Sequence, residues 1–510
     1  MPSHYSLMRG ILTLVAVATS FVIVLTVFHI KLADGLSLIP VQERPFFYDQ
    51  HQQVPGQNNN LSPAQTDDAE EFLEQQDETP HQNHDYRLLT SLRNNMGFYN
   101  KIDGRKTGYR LMNPTILELP RGGNSSHGFL VIARAPHVVK EIDGKRYKLA
   151  RQVATFANLT HNNLGRPMLR TGNWSRLLVQ DFGGPAHHCQ NQPDMDKYIG
   201  PEDMKLFWSR TGEPLLIFTH QVDDEIMCQG QFLLDVRAAV PEFEEALGYE
   251  ASSLLPPVRF QSPTRLHREA LPGQEMHPRY QREKNWALAQ SPFASDSELL
   301  VMVEPGQLFR YTSSDTAVES VVNTKDQQSA VEAPYPLGAQ NLEPWHSRER
   351  TCIHDVMLDN KHVHQSTPML SVTLCNRGTC EPDEENTVMV GMVQRRLDPP
   401  LSPVTWYDRR IAVYEATAPY RMISVSKKLT YHGESDGRYV WTGSMSYYTN
   451  QTVFPPSNHG FLNDEVWLGF GIKDSAAGWL DIRARDLVAD HYLCQGASAG
   501  YRHYRQGISA

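Results

Sequence analysis

The feature that most constrains this chain is a rhythm of short apolar runs, set in pairs around turn residues, that recurs from Thr115 to Val488. "TILELP" is followed by "GFLVIARAP", "MKLFWS" by "PLLIFTHQV", "NWALAQS" by "ELLVMVE" and "PMLSVTLC" by "TVMVGMVQ". "RIAVYEA" with "RMISVSKKL" and "VWLGFGIKD" with "WLDIRARDLV" complete the series. The residues between partners are Gly, Asp, Asn, Ser and Pro, so each pair predicts a β-hairpin. So many paired strands at recurring intervals favour an all-β chain closed radially, a β-propeller, over a sandwich. The best short helix signal is "AVPEFEEALG", Ala239 to Gly248.

The N-terminus is of another kind. From Gly10 to Ile30 the sequence carries no charge, and the run is long enough to cross a bilayer core of ~30 Å as a helix. Arg9 precedes it and Lys31 follows; no small-residue cleavage pattern ends it, so an uncleaved anchor is expected rather than a signal peptide. From Asp34 to Arg105 the chain turns to Gln, Asn, Asp, Glu and His, with too little apolar surface to offset the entropy of ordering. The expected plan is a cytosolic tail over 1–9, a transmembrane signal anchor over 10–30, a disordered stem over 31–105 and a folded body over 106–510.

A formal charge of −10 leaves no basic footprint for nucleic acid. Asn60, Asn124, Asn158, Asn173 and Asn450 each begin an Asn-x-Ser/Thr triplet, which matters only in a secretory lumen. Six cysteines, Cys189, Cys228, Cys352, Cys375, Cys380 and Cys494, can pair there in any of 15 ways, and "CNRGTC" suits a small loop closed by Cys375 and Cys380. Without a C-x-x-C pair, zinc or thioredoxin-like chemistry is not indicated. Anchor, triplets and cysteines together place the body in the lumen.

Two long loops interrupt the hairpins, Pro256 to Arg282 and Asn323 to Pro344. Loops of that length are insertions or functional lids, and the first is basic and runs into "EKNW". Upstream, "YIGPEDMKLFW" sets Glu202 and Asp203 behind a Gly-Pro at the mouth of a strand. Acids there either cap a turn or line a pocket.

"NPTILELP", "FLVIARAP", "GPEDMKLFW", "EKNW" and "FLNDEVWLGFGIKD…GWLDIRARDLV", in that order, resemble the fungal β-1,2-mannosyltransferases of glycosyltransferase family 91. They are distantly similar to the mannoside phosphorylases of glycoside hydrolase family 130, which implies a five-bladed propeller. The resemblance covers nearly all the body but neither anchor nor stem. It departs at one place: the family pattern runs Glu-Asp-Pro-Arg, whereas Met204 and Lys205 follow Asp203 here, and Lys lacks the planar bidentate fork of Arg.

What the resemblance implies is transfer of mannose from GDP-mannose to a mannose-containing cell-wall or glycoprotein glycan, with inversion, in the fungal Golgi membrane. Inversion is a single displacement in which a base takes the acceptor proton as the diphosphate departs. By analogy with the phosphorylases, Asp203 transfers the proton and Glu202 positions the sugar. Lys284, Asn285 and Arg282, with Arg134 and Arg151 at strand ends, are the candidates for the diphosphate, since cations can neutralise it without metal. His459, Asp464 and Asp474 are expected to complete the sugar pocket. "DMD", Asp194 to Asp196, has an Asp-x-Asp form, but it lacks the apolar parallel strand that precedes such metal sites, and "VDDE", Asp223 to Glu225, is no better placed. No metal and no cofactor are therefore expected. The rivals are a β-mannoside phosphorylase or hydrolase using the same acid, which anchor and stem disfavour, and a non-catalytic glycan-binding propeller, which the change at Met204 and Lys205 keeps open.

Overall fold

The computed structural model of the protein describes residues 86–104, 110–121, 127–179, 197–222, 228–268, 282–311, 328–332, 353, 357, 363–397, 406–434, 439–450 and 457–494. The chain divides into Met1–Asp77 and Glu78–Ala510, and all described residues belong to the second unit. The expected anchor over 10–30 and the triplets at Asn60 and Asn124 lie outside them. Among the described residues no helix is long and apolar enough to cross a membrane.

The body is mostly β. β1 (Tyr86–Leu89) and β2 (Asn100–Asp103) come first, followed by the antiparallel run β3 (Met112–Glu118), β4 (Phe129–Ile142), β5 (Lys145–His161) and β6 (Pro167–Thr171). Short β7 (Ser175–Arg176) and β8 (Tyr198–Ile199) add to β5. β9 (Glu202–Trp208), β10 (Pro214–Gln221), β11 (Gln229–Asp235) and β12 (Thr264–Arg268) form the next run, with α1 (Val236–Ala239), α2 (Phe243–Leu247) and α3 (Tyr249–Ser252) between its last two strands. β12 pairs in parallel with β16 (Gln328–Glu332), which continues through β15 (Gln307–Tyr311) and β14 (Leu300–Glu304) to β13 (Ala287–Ala289). A further sheet holds β17 (Val363–Gln365), β18 (Leu370–Thr373), β19 (Thr387–Leu397), β20 (Trp406–Glu415) and β21 (Met422–Ser426). β22 (Lys428–Tyr431) pairs with β1, and β23 (Val440–Tyr448), β25 (Glu465–Ile472) and β26 (Ala476–Arg483) run together. β24 (His459–Phe461) and β27 (His491–Leu493) extend the β18–β21 sheet at either edge, and α4 (Arg485–Val488) precedes β27.

All the hairpins expected from the sequence form, as β3–β4, β9–β10, β13–β14, β18–β19, β20–β21 and β25–β26. Strands buried on both faces explain why their sequences are continuous apolar runs rather than alternations. β4 shows both regimes: Phe129 to Ala133 is buried throughout, whereas Val138 to Ile142 alternates between exposed and half-buried positions. The expected helix appears as α2, flanked by two single-turn helices. Cys375 and Cys380 are disulfide-bonded to each other, and Cys228 and Cys494 each take part in a disulfide of their own. Asn158, Asn173 and Asn450 are exposed.

The stem boundary expected at 105 falls too late. β2 lies between β26 and β6, pairing Asn100 with Trp479 and Ile102 with Leu169. Ser91 Oγ and Asn100 Nδ2 donate to Asp481 Oδ1 at 2.5 and 3.0 Å, and the Arg93 amide donates to Oδ2 at 2.8 Å. Leu89 and Ile102 are buried. The polar stretch before residue 86 conceals these anchors, which are held by pairing to strands distant in the sequence.

Candidate active site

β3, β9 and β23 approach one another, tied by side chains: the Leu206 amide donates to Thr115 Oγ1, and the Ile116 amide to Ser444 Oγ, both at 3.0 Å. Each of these strands is bulged near its N-terminal end, β3 at Asn113–Pro114, β9 at Asp203–Met204 and β23 at Gly443. A bulge inserts an unpaired residue and re-aims side chains, which is why bulges gather beside active sites. In β9 the register runs Lys205 to Ile217 and Glu202 to Thr219, so Asp203 and Met204 together face Phe218. Asp203 has φ +53°, Asn113 +47°, Asn285 +66°, Tyr439 +43° and Asp474 +45°. Non-glycine residues in this region are uncommon and cluster where geometry serves chemistry.

The turn ahead of β9 is equally fixed. Gly200 has φ +95°, and a Cβ there would fall 2.5 Å from the Ala150 carbonyl oxygen, so no side chain fits. Its amide donates to Gln221 Oε1 at 2.6 Å, and Gln152 Nε2 donates to the Pro201 carbonyl at 2.9 Å. "GP" therefore delivers the two acids to a set position.

Glu202 is buried, and Lys284 Nζ donates to its Oε2 at 2.7 Å while lying 3.6 Å from Asp203 Oδ2. His137 Nε2 faces Oε1 at 4.0 Å. Burial opposes ionisation of Glu202, yet the Lys284 ammonium, with His137 and Arg134 behind it, holds its carboxyl well below the usual range. Glu202 thus favours the anion, with Oε2 occupied by Lys284. Asp203 instead turns into a polar cleft shared with Arg134, Lys205, Asn113, Gln152 and Trp441. Arg134 Nη2 reaches Asp474 Oδ1 at 3.1 Å, and the Tyr439 hydroxyl donates to the other oxygen of Asp474. Burial works against the Arg134 charge, but Asp474, Asp203 and Glu202 outweigh it and strengthen its hold on the proton. Lys205 is 2% exposed, and burial, opposed by Asp203, lowers it to about 8.

Of the residues expected from sequence, Glu202, Asp203, Lys284, Arg134 and Asp474 come together. Arg282 lies beside them: its Nε donates to Gln229 Oε1 at 2.8 Å, and burial weakens its proton affinity against the pull of Glu202 and Asp203. Asn285 follows Lys284 on the same segment, with its Oδ1 buried and, among the described residues, without a hydrogen-bond partner. Arg151 sits opposite Ala135, next to the bulge that carries His137. His459 and Asp464 are placed elsewhere. His459 Nε2 is 2.7 Å from Thr373 Oγ1, and burial with nearby Arg377 lowers it to about 4; Asp464 is bound by Arg377 at 2.6 Å and caps the Phe461 amide at 2.7 Å. They brace the turn before β25 rather than join the acids. Asp194, Asp196 and the Asp223–Glu225 stretch lie outside the described residues, and among those described no group of three His, Cys, Asp or Glu could hold a metal ion. His137, Gln152, Asn113 and Trp441 were not indicated by sequence, and Lys205 was indicated only as a departure from the family pattern; each lies on or across from a bulged strand, and a bulge leaves no trace in a hydrophobic pattern.

No family model matches the sequence, and no curated protein does. Among solved structures, the chain is similar to a mannose phosphorylase from Leishmania mexicana in complex with phosphate ion, with 10% identity over 80% of this chain and 92% of that one and a TM-score of 0.35. It is similar to a GDP-Man-dependent mannosyltransferase from Leishmania mexicana, with 9% identity, 78% and 94% coverage and a TM-score of 0.35. A third likeness is to a structure from the GH130 family of mannoside phosphorylases, which contains glycoside hydrolases targeting β-1,2 mannosidic linkages in Candida mannan; identity is 11%, coverage 74% and 86%, and the TM-score 0.35.

Proposed function

We propose that the chain is an inverting β-mannosyltransferase that uses GDP-mannose and a mannose-containing glycan acceptor. The observation that carries this reading is the division of labour between adjacent acids: Glu202 is locked by Lys284, whereas Asp203, turned by the bulge into the cleft, is available to move a proton. In the displacement, Asp203 accepts the acceptor hydroxyl proton, the acceptor oxygen bonds to C1 of mannose, and the C1–O bond to the diphosphate breaks with its electrons leaving on phosphate. Lys205, Arg134 and Lys284 supply three positive charges around that departure, in a site where fixed charge counts for more than in water.

The strand runs group naturally into five four-stranded blades, β3–β6, β9–β12, β13–β16, β18–β21 and β23–β25–β26–β2, and we read the body as a five-bladed propeller with the cleft at one end of its axis. We further place it on the lumenal side of the Golgi membrane, held by the apolar run Gly10 to Ile30.

The test incubates the full-length chain with GDP-mannose and mannan oligosaccharides and determines the anomer and linkage of the product. A β-mannosidic product is expected. Release of mannose 1-phosphate or mannose from a β-mannoside, without transfer, would instead identify a phosphorylase or hydrolase using the same acid. For the placement, carbonate extraction should leave the protein in the membrane and glycosidase should shift its mobility.

A further inference from the structure

We propose that Lys205 is a site of reversible carbamylation, its side-chain amine combining with carbon dioxide to place an anion in the cleft where an ammonium stood. The modification is read from the residues around Lys205 alone; only its consequence for the donor rests on the mannosyltransferase reading.

Lys205 is carried inward by β9, in which every residue but Asp203 is buried, and it is itself 2% exposed. An ammonium in such surroundings gives up its proton unless acids hold it. The acids of the site are engaged elsewhere. Lys284 donates to Glu202 at 2.7 Å and lies 3.6 Å from Asp203, and Arg134 reaches Asp474 at 3.1 Å. Among the described residues Lys205 makes neither a hydrogen bond nor an ion pair. Burial lowers its proton affinity to about 8, with Asp203 opposing and Lys284 assisting. A fraction of the amine is therefore neutral, and so nucleophilic, at neutral pH. The charged groups around it are Glu202 and Asp203 on β9, Arg134 on β4, Arg282 and Lys284 ahead of β13, and Asp474 after β25.

The neighbours of Lys205 suit the product. A carbamate has oxygens that accept hydrogen bonds and keeps one N–H that donates. Arg134 Nε, a donor, and Asn113 Oδ1, an acceptor, are both buried without a hydrogen-bond partner among the described residues, and both residues line the cleft with Lys205. Buried polar groups left unpaired are uncommon and costly, and a carbamate offers a partner of each kind. Carbon dioxide is uncharged and has three atoms, so it enters a cleft whose free space is on the order of a water molecule where a solute with a ring does not.

In the step itself, the lone pair of the neutral amine forms the N–C bond and one C=O π pair moves onto oxygen. The surplus proton on nitrogen passes to Asp203, which faces the same cleft, and from there to solvent. Nothing is oxidised or reduced, and return of the proton releases carbon dioxide. The charge at position 205 changes from positive to negative, so a donor diphosphate meets an anion in place of a cation. Carbon dioxide thereby acts as an inhibitor of donor binding.

The experiment equilibrates the full-length chain with ¹³C-bicarbonate at constant ionic strength and follows carbamate by ¹³C NMR as pH rises through about 8. The N-terminal amine titrates in the same range, so the site is assigned in the unaltered chain by ethylating the carbamate with triethyloxonium and mapping the trapped peptide. A trapped carbamate on Lys205, lost when carbon dioxide is excluded, is expected; its resonance should vanish in Lys205→Arg and persist in Lys284→Arg. Carbamate on the N-terminal amine or on Lys284 alone, or none at all, would overturn the proposal. Saturating bicarbonate should raise the Kd of GDP about tenfold in the parent and leave it fixed in Lys205→Arg. Carbamate on Lys205 with GDP binding unmoved would leave the modification standing and remove Lys205 from the donor site, and with it that part of the mannosyltransferase reading.

Discussion

Lys284 donates to Glu202 across 2.7 Å and so joins two residues 82 positions apart in the sequence. The contact brings "EKNW" against "GPED", and it occupies one oxygen of the first of two neighbouring acids. Glu202 is paired with Lys284; Asp203 faces the cleft.

Asp203→Asn keeps size and hydrogen bonding but removes the base. Turnover should fall by ~10²–10⁴ with melting temperature nearly unchanged. Steady-state kinetics beside thermal melts check this, and a stable variant with normal turnover would show that Asp203 only shapes the bulge.

Removing the partner of Glu202 should be costly. Lys284→Met strands a buried carboxylate, which costs about 3–5 kcal/mol. The Glu202 carboxyl is depressed in the folded state, so its stabilisation is present above its unfolded value of about 4.3 and is lost as pH falls toward the folded one. Urea melts of parent and variant should accordingly differ most at neutral pH and converge in acid. Glu202→Gln should raise substrate KM more than it lowers kcat, because the carboxylate positions rather than reacts.

Lys205 supplies a pH signature. Its proton is lost near pH 8, so an ammonium that binds the donor diphosphate is present below that value and gone above it. Donor KM should rise with pH through about 8, and Lys205→Met should raise it about tenfold at neutral pH and flatten the profile. Donor KM measured across the alkaline range in both proteins decides; superimposable profiles would exclude Lys205 from donor binding.

Transfer should survive EDTA, and Asp194→Ala should leave turnover within a small factor of the parent, because on the proposed mechanism the cleft's own cations serve the leaving group. Activity assays with and without chelator test this. Inhibition that Mn²⁺ reverses would give Asp194 and Asp196 a metal.

The hairpins were legible because a strand buried on both faces must be apolar along its length, as "PLLIF" is in β10. Glu202, Asp203 and Lys284 were legible as motifs. Lys205 read only as a change from Arg, since nothing in a sequence states that a bulge has shifted the residue before it. His459 and Asp464 were expected in the pocket on motif order alone, yet Thr373 and Arg377, supplied by the strand and loop alongside, hold them in a structural turn. Residues 86–104 fall into the expected stem with the polar stretch before them, although eight of the nineteen are apolar, and Leu89, Asn100 and Ile102 pair and bury.

The place of β2 between β6 and β26 has a consequence for biosynthesis. Its pairing with Trp479 and Gly478 cannot form until those residues, near the far end of the described chain, have been made. During synthesis the early strands must wait with an open edge, and an unpaired edge invites association with other chains. This ladder joins an early part of the body to a late one, over a loop of several hundred residues whose closure entropy grows only logarithmically. Quality control of the nascent protein should therefore act on this seam, and a chain that begins at residue 105 should be made and retained as an aggregation-prone intermediate.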